Sequence, residues 1–586
     1  MLQKGGLCLT LFASLLICPA LLGKGITTQR LHELSHSHYW RVLLHMKEGK
    51  SDIDDASFFL TDTEHFSAER ELEATIQQIE DQNETIACRY PARIYWLKQN
   101  VPELFTKKKF VCEEVERRIE KEHIQGVTLV FPTAYLNSPA SMFGHTFLRL
   151  DRDLATPLVS EAVNFAAQTD ETNGLIYTFK GLTGGYKGLY SVLPYYKKIK
   201  EYSAMEQRDM WEYSLDLSHE ETLRLLYHLE ELGGISSDYY FFTKNCSYNL
   251  LWLLEAAKGD THLPEYFRYK VIPVDTIRLL HEKNLITKTV YRPSKRREMQ
   301  QLLKGIENIP LTKKFVQTYE LKLLDKVNKK QQVKVLDLAV LMLKQERSKQ
   351  KINKKGYIKT LMKLLRYRSR LPAAERLKVT KPSDPVSGHK SAKFSFWVAD
   401  HKRWSLQIKP AMHDLYDIAT GYLPGAYIDF FKLSIVQSKF RRFDFVSVTS
   451  LAKWDRFFQP VSWRVQIGVS RVHGKGIYCS LEGGAGISMA KKAFSSYLLF
   501  VPKLYAGKRS HSAVGMEGGI FYDSRFMRIG ALVHKDFFDD GIAETGSELF
   551  ITDKISQNMA LNLKLHEDKI DQHSERHLDV GLFYYF

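Results

Sequence analysis

A cysteine at the start of a predicted helix is the first candidate for chemistry in this sequence. Cys246 follows an aromatic run with the character of a strand, and the apolar residues after it recur at helical spacing. The first turn of a helix offers unpaired backbone N–H groups and the positive end of the helix dipole, and both favour a thiolate. Cys246 is therefore a candidate nucleophile, although a lone cysteine is more often a buried structural residue.

A nucleophilic thiol needs a base, and the sequence offers a histidine well upstream. His145 lies where a loop rich in serine and proline, residues 137–141, runs into an alternating strand. The chain has 20 histidines, so this residue carries weight only together with the cysteine. The pair predicts covalent catalysis, in which the imidazole activates the thiol for attack on a carbonyl group.

The order of the pair resembles the circularly permuted branch of the papain-like NlpC superfamily, in which a strand histidine precedes an Asn-Cys helix start. Residues from about 40 to 254 are also similar to the N-terminal periplasmic domain of the Lnb type, named for a lipoprotein N-acyltransferase. The segments that carry this resemblance are Phe58–Leu60, Cys88–Arg93, Ser141–Thr146, Val163–Ala167, Gly184–Gly188 and Phe241–Cys246.

The resemblance implies further members of the site. Asn164, on the strand beside that of His145, would accept the imidazole N–H and hold the useful tautomer. Asp151 and Asp153 are rivals for this role, but their turn-like surroundings predict solvent exposure. Asn245 and the backbone N–H of Cys246 are candidates for an oxyanion hole or for orienting the site. We expect no cofactor.

The reaction depends on what attacks the thioester that the cysteine would form. The resemblance implies a phospholipid as acyl donor and the N-terminal amine of a lipoprotein as acceptor, which makes the protein a thiol acyltransferase. Attack by water would instead make it a periplasmic cysteine amidase or peptidase acting on peptidoglycan or protein. A third alternative is a barrel protein with an inert papain-like domain that binds envelope components.

Charge is concentrated in one part of the chain. Residues 291–381 hold 26 Lys or Arg and 7 Asp or Glu, which more than accounts for the net charge of +17. The apolar residues of this stretch fall at helical intervals, so we expect basic helices that lie against an anionic leaflet. Phosphate groups of lipid are the expected partners, and nucleic acid is not.

The cysteines and the N-terminus indicate an oxidising compartment. Residues 1–23 contain a lysine and then an apolar run, as in a secretory signal peptide, which would remove Cys8 and Cys18. A disulfide between Cys88 and Cys112 is then expected. The sequence contains no HExxH motif and no paired CxxC motif, so we expect no metal site.

The C-terminal third changes from helical spacing to strict alternation. Leu561, Leu563 and Leu565, for example, alternate with Asn562 and Lys564. About a dozen such segments are separated by polar turns, which is typical of a transmembrane antiparallel β-barrel. The last strand ends in an aromatic residue and resembles the signal that the barrel-assembly machinery recognises. A soluble β-sandwich is the competing interpretation.

The predicted fold is multidomain, with α+β and all-β parts. We expect a signal peptide (1–23), a helical subdomain (24–125), a permuted papain-like α+β domain (126–290), a basic helical segment (291–388) and an outer-membrane β-barrel of about 12 strands (389–586). Residues 206–232 are expected to be helical. The predicted location is the Gram-negative outer membrane, with the N-terminal domain in the periplasm.

Overall fold

A computed structural model describes residues 26–106, 110–135, 142–171, 173–373, 377–400, 403–472 and 476–586. The predicted signal peptide and the serine- and proline-rich residues 137–141 lie outside these ranges. The chain divides into two compact units. One comprises residues 1–121 and 224–235, and the other comprises residues 122–223 and 236–586.

The first unit is mainly helical. Its core is organised by Arg93, whose buried guanidinium binds the carboxylates of Glu71 and Glu231 at 2.5 and 2.7 Å. Cys88 and Cys112 form a disulfide in the same unit. Its elements are α1 (Thr28–Ser35), α2 (His38–Leu43), the hairpin β1 (Met46–Lys47) and β2 (Lys50–Ser51), α3 (Ala68–Glu80), α4 (Thr85–Arg89), α5 (Pro91–Asn100) and α6 (Glu113–Glu122). The last part of helix α9 (His219–Glu231) also belongs to this unit.

The second unit begins with a seven-stranded antiparallel sheet in the order β8-β6-β5-β4-β3-β7-β9. Its central strands β3 and β4 are buried along almost their whole length, as expected for a sheet covered on both faces. The strands are β3 (Gly126–Pro132), β4 (Phe147–Asp151), β5 (Glu161–Ala167), β6 (Tyr186–Pro194), β7 (Met210–Leu215), β8 (Ser236–Tyr239) and β9 (Ile286–Arg292). The associated helices are α7 (Gly174–Thr183), α8 (Tyr195–Ile199), α9 (His219–Glu231), α10 (Cys246–Lys258) and α11 (Pro273–Glu282).

The prediction of a continuous helix over residues 206–232 is wrong in its first half. Strand β7 occupies Met210–Leu215 and pairs with both β3 and β9. Within it the apolar Trp211, Tyr213 and Leu215 alternate with polar residues. This period of two is typical of a strand and was already visible in the sequence. Only the second half of the stretch, from His219, is helical.

The expected exposure of Asp151 is also wrong, because this residue belongs to a buried ion network beneath the sheet. Arg149 binds Asp151 at 2.5 Å and Glu212 at 2.6 Å. Glu212 additionally accepts hydrogen bonds from Tyr195 and Arg292, each at 2.7 Å. Buried charges are tolerated only when they are paired in this way. The network therefore ties β4, β7 and β9 into one rigid sheet.

The basic segment folds into helices with a core of their own. The helices are α12 (Lys295–Leu303), α13 (Ile309–Thr318), α14 (Lys329–Ser348) and α15 (Lys354–Arg368). Their apolar faces pack on one another around Phe315, Leu336 and Leu364. On α15, a separate stripe formed by Ile358, Met362 and Leu365 remains exposed.

The C-terminal part is a closed antiparallel barrel. Strand β10 pairs with β22 and β11, and β11 pairs with β13, which closes the sheet. Taking β11 and β12 as one strand interrupted at Pro410, the barrel has 12 strands. They are β10 (Lys393–Ala399), β11 (Trp404–Lys409), β12 (Ala411–His413), β13 (Ala426–Val436), β14 (Lys439–Ser450), β15 (Ser462–Val472), β16 (Gly476–Lys491), β17 (Phe494–Ala506), β18 (His511–Asp523), β19 (Met527–Phe538), β20 (Ala543–Ser556), β21 (Met559–Ile570) and β22 (His573–Tyr585).

The barrel has an apolar outside and a polar interior. Leu561, Leu563 and Leu565 are exposed on the outer face of β21, whereas Asn562 between them is buried. Such an outer face is suited to hydrocarbon and not to water. Among the described residues, no helix is both long enough and apolar enough to cross a membrane.

Polar contacts fix the α+β domain to one end of the barrel. The Arg278 side chain on α11 donates to the Pro385 carbonyl oxygen and to the Tyr422 hydroxyl. Tyr213 on β7 donates to Asp384 at 2.9 Å, just ahead of the barrel. The sheet and the membrane anchor are therefore held in a defined relation.

Replacing Arg149 with methionine should destabilise the sheet, because it leaves Asp151 buried without its charge partner. The expected cost is about 3–5 kcal/mol in the free energy of opening β4, measured by hydrogen–deuterium exchange of the full chain in detergent. Arg152→Met is the matched control. Arg152 is half-buried and pairs with Glu122 and Glu161, so its loss should cost about 1 kcal/mol or less. Equal effects of the two substitutions would contradict the role of the buried network.

Candidate active site

The candidate nucleophile stands at the first position of α10, and its neighbour Asn245 caps that helix. The side-chain oxygen Oδ1 of Asn245 accepts hydrogen bonds from the backbone N–H groups of Ser247 and Tyr248, at 3.1 and 3.3 Å. Its amide group donates to the carbonyl oxygens of Phe241 and Val271. The side chain thus orients the helix start, and both of its N–H donors are used within the protein, so it does not serve as an oxyanion donor.

The candidate base is placed by a turn and a strand pairing. Gly144 adopts φ +89°, a left-handed conformation that lets the chain turn directly before His145. The backbone N–H of His145 then donates to the Pro132 carbonyl oxygen, which continues the pairing of β4 with β3. This arrangement holds the imidazole at the entrance of a central strand.

The imidazole is oriented by an asparagine on the neighbouring strand. His145 Nε2 lies 2.6 Å from Asn164 Oδ1, and β5, which carries Asn164, pairs with β4. Because the amide oxygen can only accept, Nε2 carries the hydrogen and Nδ1 is left for the thiol. The rivals of Asn164 lie elsewhere: Asp151 pairs with Arg149, and the partly exposed Asp153 accepts a hydrogen bond from the backbone N–H of Ala155.

The thiol of Cys246 is buried, with 3% of the residue exposed. Burial alone would raise its pKa, but the charge of His145 and a hydrogen bond with its side chain oppose this effect. The backbone N–H of Thr146 and the side chain of Ser247 also stabilise the thiolate. The net result is a pKa lowered from 9.0 to about 6. The structure therefore brings Cys246, His145 and Asn164 into one site with a thiolate at neutral pH.

Tyr239 is a member of the site that the sequence did not single out. Its hydroxyl oxygen accepts the backbone N–H of Cys246 at 3.3 Å. Burial, and then the charge of Cys246, raises the pKa of Tyr239 well above its usual value, so the hydroxyl stays protonated. A neutral hydroxyl at this place can donate to the sulfur or to an oxygen bound to the carbon under attack. Its position in an aromatic run gave no signal of this role.

A second contact missed from the sequence joins the two halves of the site. The hydroxyl groups of Thr146 and Ser247 lie 2.8 Å apart, one beside the histidine and the other beside the cysteine. Both side chains are buried. The bond therefore fixes the start of α10 against the entrance of β4, which sets the approach of sulfur to imidazole.

Helix α7 lies along the aromatic run that leads to the cysteine. Gly184, directly after α7, has φ +78°, and an added Cβ would collide with the Tyr240 ring. The Phe241 backbone N–H donates to the Gly181 carbonyl oxygen at 2.9 Å. Gly181 and Gly184 therefore permit a close approach of α7 to the aromatic residues Tyr240 and Phe241.

We also compared the candidate site with the clusters of side chains that could bind a metal ion. Within the described part of the chain, no cluster of potential metal ligands includes Cys246 or His145. A buried trio of His389, His413 and Asp417 lies in the barrel region, but Asp417 there already binds Lys393 and Lys409. We assign no metal to either place.

Alkylation of Cys246 should depend on pH with a midpoint near 6, because only the thiolate reacts. The rate of carbamidomethylation, followed by mass spectrometry in a Cys479→Ser background, measures this directly. In His145→Ala the midpoint should rise, since burial remains while the charge and the hydrogen bond of His145 are lost. A midpoint near 9 in the parent protein would contradict the thiolate assignment.

Four family models match the chain in succession. The model described as the Lnb N-terminal periplasmic domain matches residues 114–283, which include every residue of the candidate site. Three further models, each described as a domain of unknown function, match residues 32–100, 289–379 and 382–585. No curated protein matches the chain.

Solved structures match the C-terminal part. The NanC porin is 8% identical, with 33% of this chain and all of that chain covered and a TM-score of 0.26. The KdgM porin is 14% identical, covering 33% of this chain and 99% of that chain, with a TM-score of 0.23. An outer membrane channel from Pseudomonas putida F1 is 8% identical, covering 37% and 100%, with a TM-score of 0.23.

The barrel itself is established by its own strand pairing and its apolar outer face. The family match adds the identity of the domain that carries the candidate site. Residues 114–283 are therefore an Lnb N-terminal periplasmic domain, in a Gram-negative outer-membrane protein whose C-terminal part is a closed 12-strand barrel.

Proposed function

We propose that the protein is a thiol acyltransferase that moves an acyl chain from a phospholipid, through a thioester on Cys246, to an amine such as a lipoprotein N-terminus. The observation that carries this proposal is the buried thiol whose pKa is lowered to about 6 by a histidine that an asparagine holds in place. Such a thiolate–imidazolium pair is suited to covalent acyl chemistry.

In the first half-reaction the thiolate of Cys246 attacks the carbonyl carbon of a phospholipid ester. The C–S bond forms, and the ester C–O bond breaks as the tetrahedral intermediate collapses. The oxyanion forms beside the Tyr239 hydroxyl, which can donate a hydrogen bond to it. The imidazolium of His145 gives its Nδ1 proton to the departing glycerol oxygen, which leaves a thioester and a lysophospholipid.

In the second half-reaction an amine attacks the thioester carbonyl. Neutral His145 accepts the amine proton at Nδ1, a C–N bond forms, and the C–S bond breaks. The products are an amide and the regenerated thiolate–imidazolium pair. Asn164 holds the same tautomer through both halves, since its oxygen accepts the Nε2 hydrogen throughout.

Two features favour transfer to an amine over hydrolysis. The thiol is almost fully buried beneath aromatic side chains, which limits the access of water to a thioester. The barrel also keeps the site beside the bilayer, where phospholipids and lipoproteins reside. The exposed stripe Ile358, Met362 and Leu365 on α15, flanked by lysines, has the pattern of a helix that binds an anionic membrane surface.

Cells that carry only the Cys246→Ala protein should lose N-acylated lipoprotein, because no thioester can form. Mass spectrometry of lipoprotein N-termini measures this loss, and Cys479→Ser, which removes the other free cysteine among the described residues, should leave the pattern unchanged. His145→Gln should lower transfer by about 10²–10⁴-fold, as expected for loss of a general base. Unchanged lipoproteins with altered muropeptides would favour the amidase alternative.

A further inference from the structure

We propose that a row of phenylalanine rings between the lipid-facing wall of the barrel and the thiol is the route by which the phospholipid acyl chain enters the site. This inference rests on the proposed function and names the path of its donor. The row consists of Phe445, Phe443, Phe431, Phe430, Phe242 and Phe143, and we refer to it as the phenylalanine row.

The outer end of the row lies on the membrane face of the barrel. Phe445 on β14 is 46% exposed, and Val465 and Ile467 on the adjacent strand are exposed beside it. Phe443 contacts Phe445 with ring centroids 4.9 Å apart. Alternate residues of a barrel strand face opposite sides, so Asp444 between these two phenylalanines points to the polar interior, where it binds Arg442.

The middle of the row crosses from the barrel to the α+β domain. The Phe431 ring lies 6.5 Å from Phe443 and 5.5 Å from Phe242. Phe431 has φ +51°, an uncommon conformation for a phenylalanine. It is followed in the row by Phe430, which is only 8% exposed because the α+β domain covers it. An apolar surface is thus continuous across the junction of the two parts.

The inner end of the row meets the two segments that carry the catalytic pair. Phe430 contacts Phe143 at 4.9 Å and Phe242 at 5.2 Å, and these two rings contact each other at 5.1 Å. Phe143 lies two residues before His145, and Phe242 lies four residues before Cys246. The row therefore ends on the two segments that carry the catalytic pair.

The chemistry of the row identifies its occupant. It is apolar throughout and continuous with the outer surface that faces hydrocarbon, so an acyl chain can enter without exposing its methylene groups to water. Aromatic rings offer large apolar contact area at little cost in side-chain entropy. We assign the row to a phospholipid acyl chain that stays partly in the leaflet while its ester reaches Cys246.

Photo-crosslinking tests the route without requiring any reaction. Full-length Cys246→Ala protein is reconstituted in vesicles of phosphatidylethanolamine and phosphatidylglycerol that include a phosphatidylethanolamine with a diazirine in one acyl chain. After irradiation, we expect label on the peptides that contain Phe143 and Phe242 as well as on the outer peptide with Phe445. Label confined to outer barrel peptides would overturn the proposal.

A substitution in the middle of the row provides the second arm. Phe431→Asn keeps a residue that tolerates positive φ but places an amide in the apolar path, so inner labelling should fall about tenfold while Phe445 labelling persists. Phe500→Asn, at a phenylalanine that is 53% exposed on β17, is the matched control and should leave inner labelling unchanged. Equal inner labelling in the two variants would overturn the route.

An activity measurement separates this proposal from the proposed function. With Cys246 present, Phe431→Asn should slow acyl transfer from bilayer phospholipid about tenfold but leave thioester formation from a short-chain, water-soluble ester unchanged. A loss with both donors would overturn the route, since the substitution would then act on the site itself. If the parent protein formed a thioester from neither donor, the proposed acyltransferase activity would be refuted. The crosslinking experiment would still test whether an acyl chain binds along the phenylalanine row.

Discussion

The candidate site depends on one hydrogen bond, the 2.6 Å contact between His145 Nε2 and Asn164 Oδ1. It determines which imidazole nitrogen faces Cys246 and so lets a charge stand beside a sulfur that burial would otherwise keep protonated. Because burial raises the pKa of the Cys246 thiol and His145 lowers it, the imidazole must be held in a fixed position. If the imidazole turned away, burial would raise the pKa of the Cys246 thiol and keep it protonated.

The rest of the second unit supplies that rigidity. The histidine and the asparagine come from adjacent strands of a sheet whose buried ion network around Arg149 resists shear between strands. The cysteine comes from a helix fixed by its asparagine cap and by the bond between Thr146 and Ser247. Contacts of Arg278 and Tyr213 with the segments flanking the barrel then hold this assembly at the membrane.

The sequence predicted the parts whose signals are local. The alternation of Leu561 to Leu565 indicated a barrel, and an Asn-Cys pair before an apolar helix indicated a thiolate. Tyr239 and the Thr146–Ser247 bond were missed because they depend on how a strand and a helix meet, which spacing does not encode. Asp151 was misjudged because its partner Arg149 neutralises it inside the fold, and β7 because a short alternating strand was taken for part of the helix after it. The phenylalanine row joins parts far apart in the chain, so no local pattern could reveal it.

The measurement that tests the central claim most directly is the intact mass of the full-length protein after incubation with phosphatidylethanolamine in detergent, without an amine acceptor. The expected result is an added acyl mass that maps to Cys246 and is released by hydroxylamine, with a matching amount of lysophospholipid. Absence of an adduct on Cys246, with lysophospholipid formed equally by the Cys246→Ala protein, would contradict it.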